Sequence, residues 1–105
     1  MLSIVIPTLN EEKYLPRLIA SLKKQNFSDY EIIVSDGMSN DGTKEAALSA
    51  SCVFIQDEKR SPARQRNRGA AVARGDVILF LDADTMVPDN FLPAIYNEFK
   101  SRHLS

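Results

Sequence analysis

Val77-Ile78-Leu79-Phe80-Leu81-Asp82-Ala83-Asp84 runs an apolar stretch straight into two carboxylates. Val77 to Leu81 shows no polar alternation, which suits a strand buried on both faces of a parallel sheet. Three similar runs precede it: Leu2 to Ile6, Glu31 to Val34 and Cys52 to Ile55. Helical patterns lie between and after them. Leu15, Leu18, Ile19 and Leu22 recur at the spacing of one helix face, entered from Asn10, Glu11 and Glu12, with Pro16 comfortable only in a first turn. A second helix follows Asn40 and Asp41, which can cap it, and continues through Lys44 to Leu48. A third runs from about Pro62 to Arg74, and Gly75 supplies a left-handed stop. A fourth, after Pro88 and Asp89, places Phe91, Leu92, Ile95, Tyr96 and Phe99 on one side. This βαβαβαβα order predicts a mainly parallel α/β sheet of about four strands, helices on both faces, and ligands at the carboxyl ends of the strands.

The polar clusters fall at those ends. Pro7, Thr8, Leu9, Asn10, Glu11 and Glu12 follow the first strand, Ser35 to Thr43 follow the second, and Asp82 and Asp84 follow the fourth. Two positions apart on extended chain, Asp82 and Asp84 project to the same side and can share a hard cation, Mg2+ or Mn2+. Alone, an Asp-x-Asp triplet arises by chance in about a third of chains this long, and a solvated turn is its plain alternative. Context adds weight, because adjacent carboxylates repel unless something positive arrives. Asp36 lies in a loop rich in Gly, Ser and Asn, where it can accept from the N3 hydrogen of uracil or from ribose hydroxyls. Asp41 reads as a helix cap. Arg60, Arg64 and Arg68 lie one turn apart in a basic stretch, and guanidinium groups suit phosphate oxygens. Arg64 is expected to face the ligand with Arg60 behind it, while Arg68 and Arg74 are expected on a solvated face. His103 reads as an exposed helix-terminal residue.

Bulk properties set limits. With 105 residues, 44% hydrophobic and 26% charged, the chain fits one ordinary globular domain without repeats or linkers. A net charge of −1 gives no global field toward nucleic acid or an acidic membrane, so any anion site must be local. The single Cys52 cannot form an internal disulfide and reads as a buried thiol in a reducing cytoplasm. No export signal and no run long enough to span a membrane is visible, so membrane association is expected only through another region or a partner.

With these residues in view, the chain resembles the family-two glycosyltransferases, inverting enzymes of GT-A fold, Rossmann-like, that use nucleotide-diphosphate sugars. Ile4 to Glu11 look like the family's opening strand and turn, and Val34 to Thr43 like its second motif. Ala63 to Gly69, followed by Gly75, Asp76 and Leu79 to Thr85, look like its third. The resemblance implies that Pro7, Thr8 and Glu11 border the nucleoside of a UDP- or GDP-sugar and that Asp36 contacts the base. It puts Arg64 near the base or phosphates, Asp82 near the ribose or a metal-bound water, and Asp84 on the metal. Ser35 departs from the acidic residue often found there. The family's acceptor-binding half, with its catalytic base, has no counterpart in residues 86–105. Residues 1–105 are therefore expected to be the donor-binding half, truncated relative to a full enzyme. The alternative is a non-catalytic nucleotide-binding or assembly subunit, homodimeric through an exposed sheet edge. Nucleotidyltransferase and dinucleotide-binding readings both lack their glycine-rich loop after the first strand.

Overall fold

The eight expected elements form in the expected order in the computed structural model, which describes residues 1–102. They are β1 (Leu2–Thr8), α1 (Leu15–Lys23), β2 (Tyr30–Asp36), α2 (Thr43–Ser49), β3 (Val53–Gln56), α3 (Pro62–Val72), β4 (Val77–Phe80) and α4 (Phe91–Arg102). His103 lies outside the described residues. The sheet is parallel throughout, in the order β3-β2-β1-β4. Strands are added outward from β1 to β3, and α3 then carries the chain back across to the other side of β1. The strand order reverses between β1 and β4, and a crevice opens at the carboxyl ends of these two neighbours.

Leu2, Ile4 and Ile6 of β1 are fully buried with Leu15, Leu18, Ile19 and Leu22 of α1, Ala47 of α2 and Leu92 of α4. This is the main core, on the face shared by three helices. The opposite face carries α3, which packs on β1 and β2. Ile78 and Phe80 pair in register with Ser3 and Val5, on the α3 side, and remain 40% and 44% exposed. The expectation that every strand is buried on both faces therefore holds for β1 and β2 but not for the edge strands β3, where Val53 is 40% exposed, and β4. One helix of 11 residues seats on the two central strands and leaves the two edge strands partly uncovered.

Gly75 does not supply a left-handed stop, since no glycine among the described residues has positive φ. The helix ends when Ala73 turns extended (φ −66°, ψ 137°). Gly75 serves a close approach instead: a Cβ there would stand 2.5 Å from Met1 O and 2.6 Å from Ser3 Oγ. Helix starts also differ in detail. The first helix begins at Leu15, with Pro16 in its first turn, and Ser61 caps α3 by accepting from Arg64 N–H at 3.3 Å. The N-cap of α2 is Gly42 rather than Asp41, which stands one residue earlier and accepts from Thr43 N–H at 2.9 Å. Cys52 is buried, and no described helix is long and apolar enough to cross a membrane.

Glu31 ties α3's exit to the sheet. Its Oε2 accepts from Ser3 Oγ at 2.6 Å and from Arg74 N–H at 2.7 Å, and Oε1 accepts from Arg74 Nε at 3.3 Å. Burial pushes the carboxyl up, but the bonds from Ser3 and Arg74 outweigh it and hold it below its ordinary value of 4.5. A lowered folded value stabilises above 4.5 and is lost as pH falls through the folded value. Glu31→Gln is therefore expected to cost on the order of 1 kcal/mol near neutral pH. It is also expected to flatten the acid limb of a plot of melting temperature against pH. An unchanged acid limb would show that this carboxylate is not linked to folding.

Candidate nucleotide and metal site

A cleft of about 330 Å³ opens where the strand order reverses, lined by Pro7, Thr8, Glu11, Arg60, Gln65, Asp82 and Asp84 among others. Thr8 is the last residue of β1, and its hydroxyl donates to Asp36 Oδ1 at 2.6 Å. Asp36, the last residue of β2, is fully buried behind Thr8. It also accepts from Ser39 Oγ at 2.5 Å and, through Oδ2, from Ser39 N–H at 2.7 Å. These bonds hold the turn in which Met38 takes φ 65°. The loop after β1 is laced to this one: Asn10 N–H donates to Ser39 Oγ at 2.7 Å, and Asn40 N–H donates to Asn10 Oδ1 at 2.9 Å. Glu11 N–H is held by Thr43 Oγ1 at 2.8 Å.

The arginines reverse the sequence expectation. Arg60 lines the cleft, whereas Arg64 is turned to Asp57 and does not line it. Asp57 is buried, and Arg68 approaches it at 3.7 Å. Burial pushes the Asp57 carboxyl up, and Lys59 N–H with the two guanidinium groups brings it below the usual range. A buried carboxylate after β3 thus captures the guanidinium expected at the ligand.

Sequence reading passed over Gln65. It is 3% exposed, and its Nε2 donates to Thr8 O and Ser35 O, both at 2.9 Å, joining the ends of β1 and β2. A signal was present: Gln65 and Gly69 are the two buried residues of α3 and lie four apart, so an amide stands where the helical period calls for an apolar side chain.

Asp82 and Asp84 follow β4 on either side of buried Ala83 and are themselves exposed. Leu81 N–H bonds Val5 O at 3.1 Å, which keeps the extended chain registered up to the pair. Among the described residues neither carboxylate accepts a hydrogen bond or forms an ion pair. Glu11 faces the same space: burial, then the charges of Asp84, Asp41 and Asp82, push its carboxyl above the ordinary value. Negative charge gathered at a cleft mouth without a neutralising partner suits a divalent cation. The described residues offer no group of three or more convergent ligands, so the protein would supply the two aspartates and a ligand or water the remaining oxygens. A larger concavity of about 780 Å³ lies at the opposite ends of the strands, but its cations are already engaged, Lys23 with Ala50 O and Arg74 with Glu31. Chemistry therefore favours the smaller cleft.

Residues 3–104 match Glycosyl transferase family 2. The chain belongs to this family. Glycosyltransferase GlyG of Streptococcus pneumoniae is 29% identical over 97% of the chain and 36% of its own length. The crystal structure of Staphylococcus aureus TarS 1-349 in complex with UDP-GlcNAc superposes with a TM-score of 0.86 at 30% identity, over 97% of this chain and 31% of that one. Glucosyl-3-phosphoglycerate synthase of Mycobacterium tuberculosis, in complex with Mn2+, UDP and glucosyl-3-phosphoglycerate, gives 0.74 at 27% identity, over 94% of this chain and 39% of that one. The four-stranded parallel sheet with its helices is the GT-A arrangement that the family 2 motifs implied. The chain spans about a third of the length of the curated relatives it matches.

Proposed function

We propose that these residues form the donor-binding portion of a family 2 glycosyltransferase that uses a UDP-sugar, with Asp82 and Asp84 holding Mg2+ or Mn2+ against the diphosphate. The observation that carries the reading is the partnerless carboxylate pair at the β1/β4 switch point, facing Glu11. Support for uridine comes from TarS with UDP-GlcNAc, and support for a divalent metal from the Mn2+ complex of the synthase. Pro7, Thr8 and Glu11 border the nucleoside. Arg60 opposes phosphate charge from the cleft wall, and Arg64 reaches a ligand only by leaving Asp57. Asp36 fixes Thr8 and the Met38 turn, and its contact with the base rests on the family resemblance. A bound divalent cation neutralises charge on the leaving diphosphate. Transfer with inversion needs an acceptor hydroxyl, deprotonated by a carboxylate outside residues 1–105, to attack the anomeric carbon opposite the leaving group. A reducing cytoplasmic setting fits the single buried Cys52.

Calorimetric titration of UDP into the protein, with Mn2+ and then with EDTA, tests the reading. Binding is expected to strengthen at least tenfold with the metal, about 1.4 kcal/mol. Metal-independent binding, or none, would favour a non-catalytic assembly subunit instead.

A further inference from the structure

Gln65 carries an unused acceptor. Both hydrogens of its Nε2 are committed, one to Thr8 O and one to Ser35 O. Turning the amide over would set Oε1 against two carbonyl oxygens, so the orientation is fixed. Oε1 then lies beside Gly37, 3.0 Å from where a Cβ would stand. Among the described residues nothing donates to it. Among the described residues the one buried side-chain polar atom sealed away without a partner is Ser35 Oγ, so Gln65 Oε1 remains open to the cleft that the residue lines. An immobilised, nearly buried acceptor facing a cleft awaits a donor from outside the protein.

We propose that Gln65 Oε1 is a specificity-determining acceptor for the nucleoside, taking a hydrogen bond from the base N3–H or from a ribose hydroxyl. The proposal rests on the donor-site reading above. A carbonyl oxygen would repel phosphate oxygens, so it belongs at the nucleoside end, toward Thr8 and Gly37, while the cation at Asp82 and Asp84 takes the diphosphate end. Being neutral, the amide accepts without adding to the negative charge already gathered at Glu11, Asp82 and Asp84. Gly37 is part of the same device, since a side chain there would crowd Oε1.

A chemical double-mutant cycle tests this. UDP, N3-methyl-UDP and 2′-deoxy-UDP are titrated in saturating Mn2+ into the wild type, Gln65→Met and Gly37→Ala, with thermal melting to confirm the fold of each. In the wild type, one analogue is expected to bind about tenfold more weakly than UDP, and its identity assigns the bond to base or ribose. In the variants that ratio is expected to fall to within about twofold. A purely structural role for Gln65 would weaken UDP and its analogues together and leave the ratio intact. If Gln65→Met does not fold, Gly37→Ala carries the comparison, because it keeps the amide and crowds its Oε1 at 3.0 Å and Cδ at 3.3 Å. Failure of the wild type to bind UDP sinks the donor-site reading and this proposal with it. UDP binding with the ratio unchanged in the folded variants, or with no discrimination in the wild type, overturns this proposal alone.

Discussion

Gly69→Ala is expected to lower stability by about 2 kcal/mol, although alanine is the better helix former. The added Cβ would stand 2.4 Å from Val5 Cγ1 and 3.4 Å from Val5 Cβ and Cγ2. Val5 has little freedom to yield. It is fully buried on the central strand, opposite Ile33 of β2 on one side and Phe80 of β4 on the other. Gly69 sits in α3, so the substitution gains about 1 kcal/mol of helix propensity. Overpacking costs up to about 3 kcal/mol, and at this separation the upper end applies. Packing therefore wins. Against a total of roughly 5–15 kcal/mol for an ordinary domain, the loss is large. Thermal unfolding checks it, and adding Val5→Ala should recover part of the loss, making the double variant more stable than the sum of the singles predicts. Equal stability of Gly69→Ala and wild type would mean that α3 is not seated on Val5. UDP affinity should fall in the same variant, because lifting α3 withdraws Gln65 from the ends of β1 and β2.

Asp82→Asn with Asp84→Asn is expected to abolish the metal-dependent gain in UDP affinity, a loss of at least tenfold, while leaving the metal-free protein as stable as wild type or slightly more so. The two effects point in opposite directions for one reason. Neither carboxylate has a hydrogen-bond or ion-pair partner among the described residues, and both contribute to the repulsion that raises Glu11. Removing them relieves the folded state, but both aspartates are exposed and solvent screening keeps that gain to a few tenths of a kcal/mol. A structural role would give the reverse pattern, with lower stability and unchanged metal dependence. Titrating UDP with and without Mn2+, together with melting curves in EDTA, reads both directions.

Local signals carried much of the way. Apolar runs of strand length, the i, i+3, i+4, i+7 face of Leu15 to Leu22, and the polar residues after each strand are features of neighbouring residues. Their positions in the fold agree with the sequence reading to within one or two residues at most ends. Asp82 and Asp84 do flank a buried Ala83, but in a turn closed by Thr85 N–H to Asp82 O at 3.0 Å rather than on the extended chain the sequence pattern suggested. The arginines were different. Arg60 and Arg64 belong to one basic stretch, Arg60 just ahead of α3 and Arg64 in its first turn, and nothing near them in the chain shows that Asp57 is buried where it captures Arg64. Gly75 was read as a helix stop because glycine after a helix commonly is one. Its actual reason is the backbone of Met1 and Ser3, more than 70 residues away.

By itself the sequence determined the order of elements, the parallel sheet and the carboxylate pair at the end of its fourth strand, because periodicity and adjacency act over a few residues. Only the tertiary structure decided that β4 lies beside β1, so that Thr8 and Asp84 share a cleft. It also decided that Arg60 rather than Arg64 lines that cleft, and that a buried amide at Gln65 joins two strand ends with one oxygen left over. Each of these depends on contacts between segments that meet only when the sheet assembles, and burial there determines which charge is captured and which is left free for a ligand.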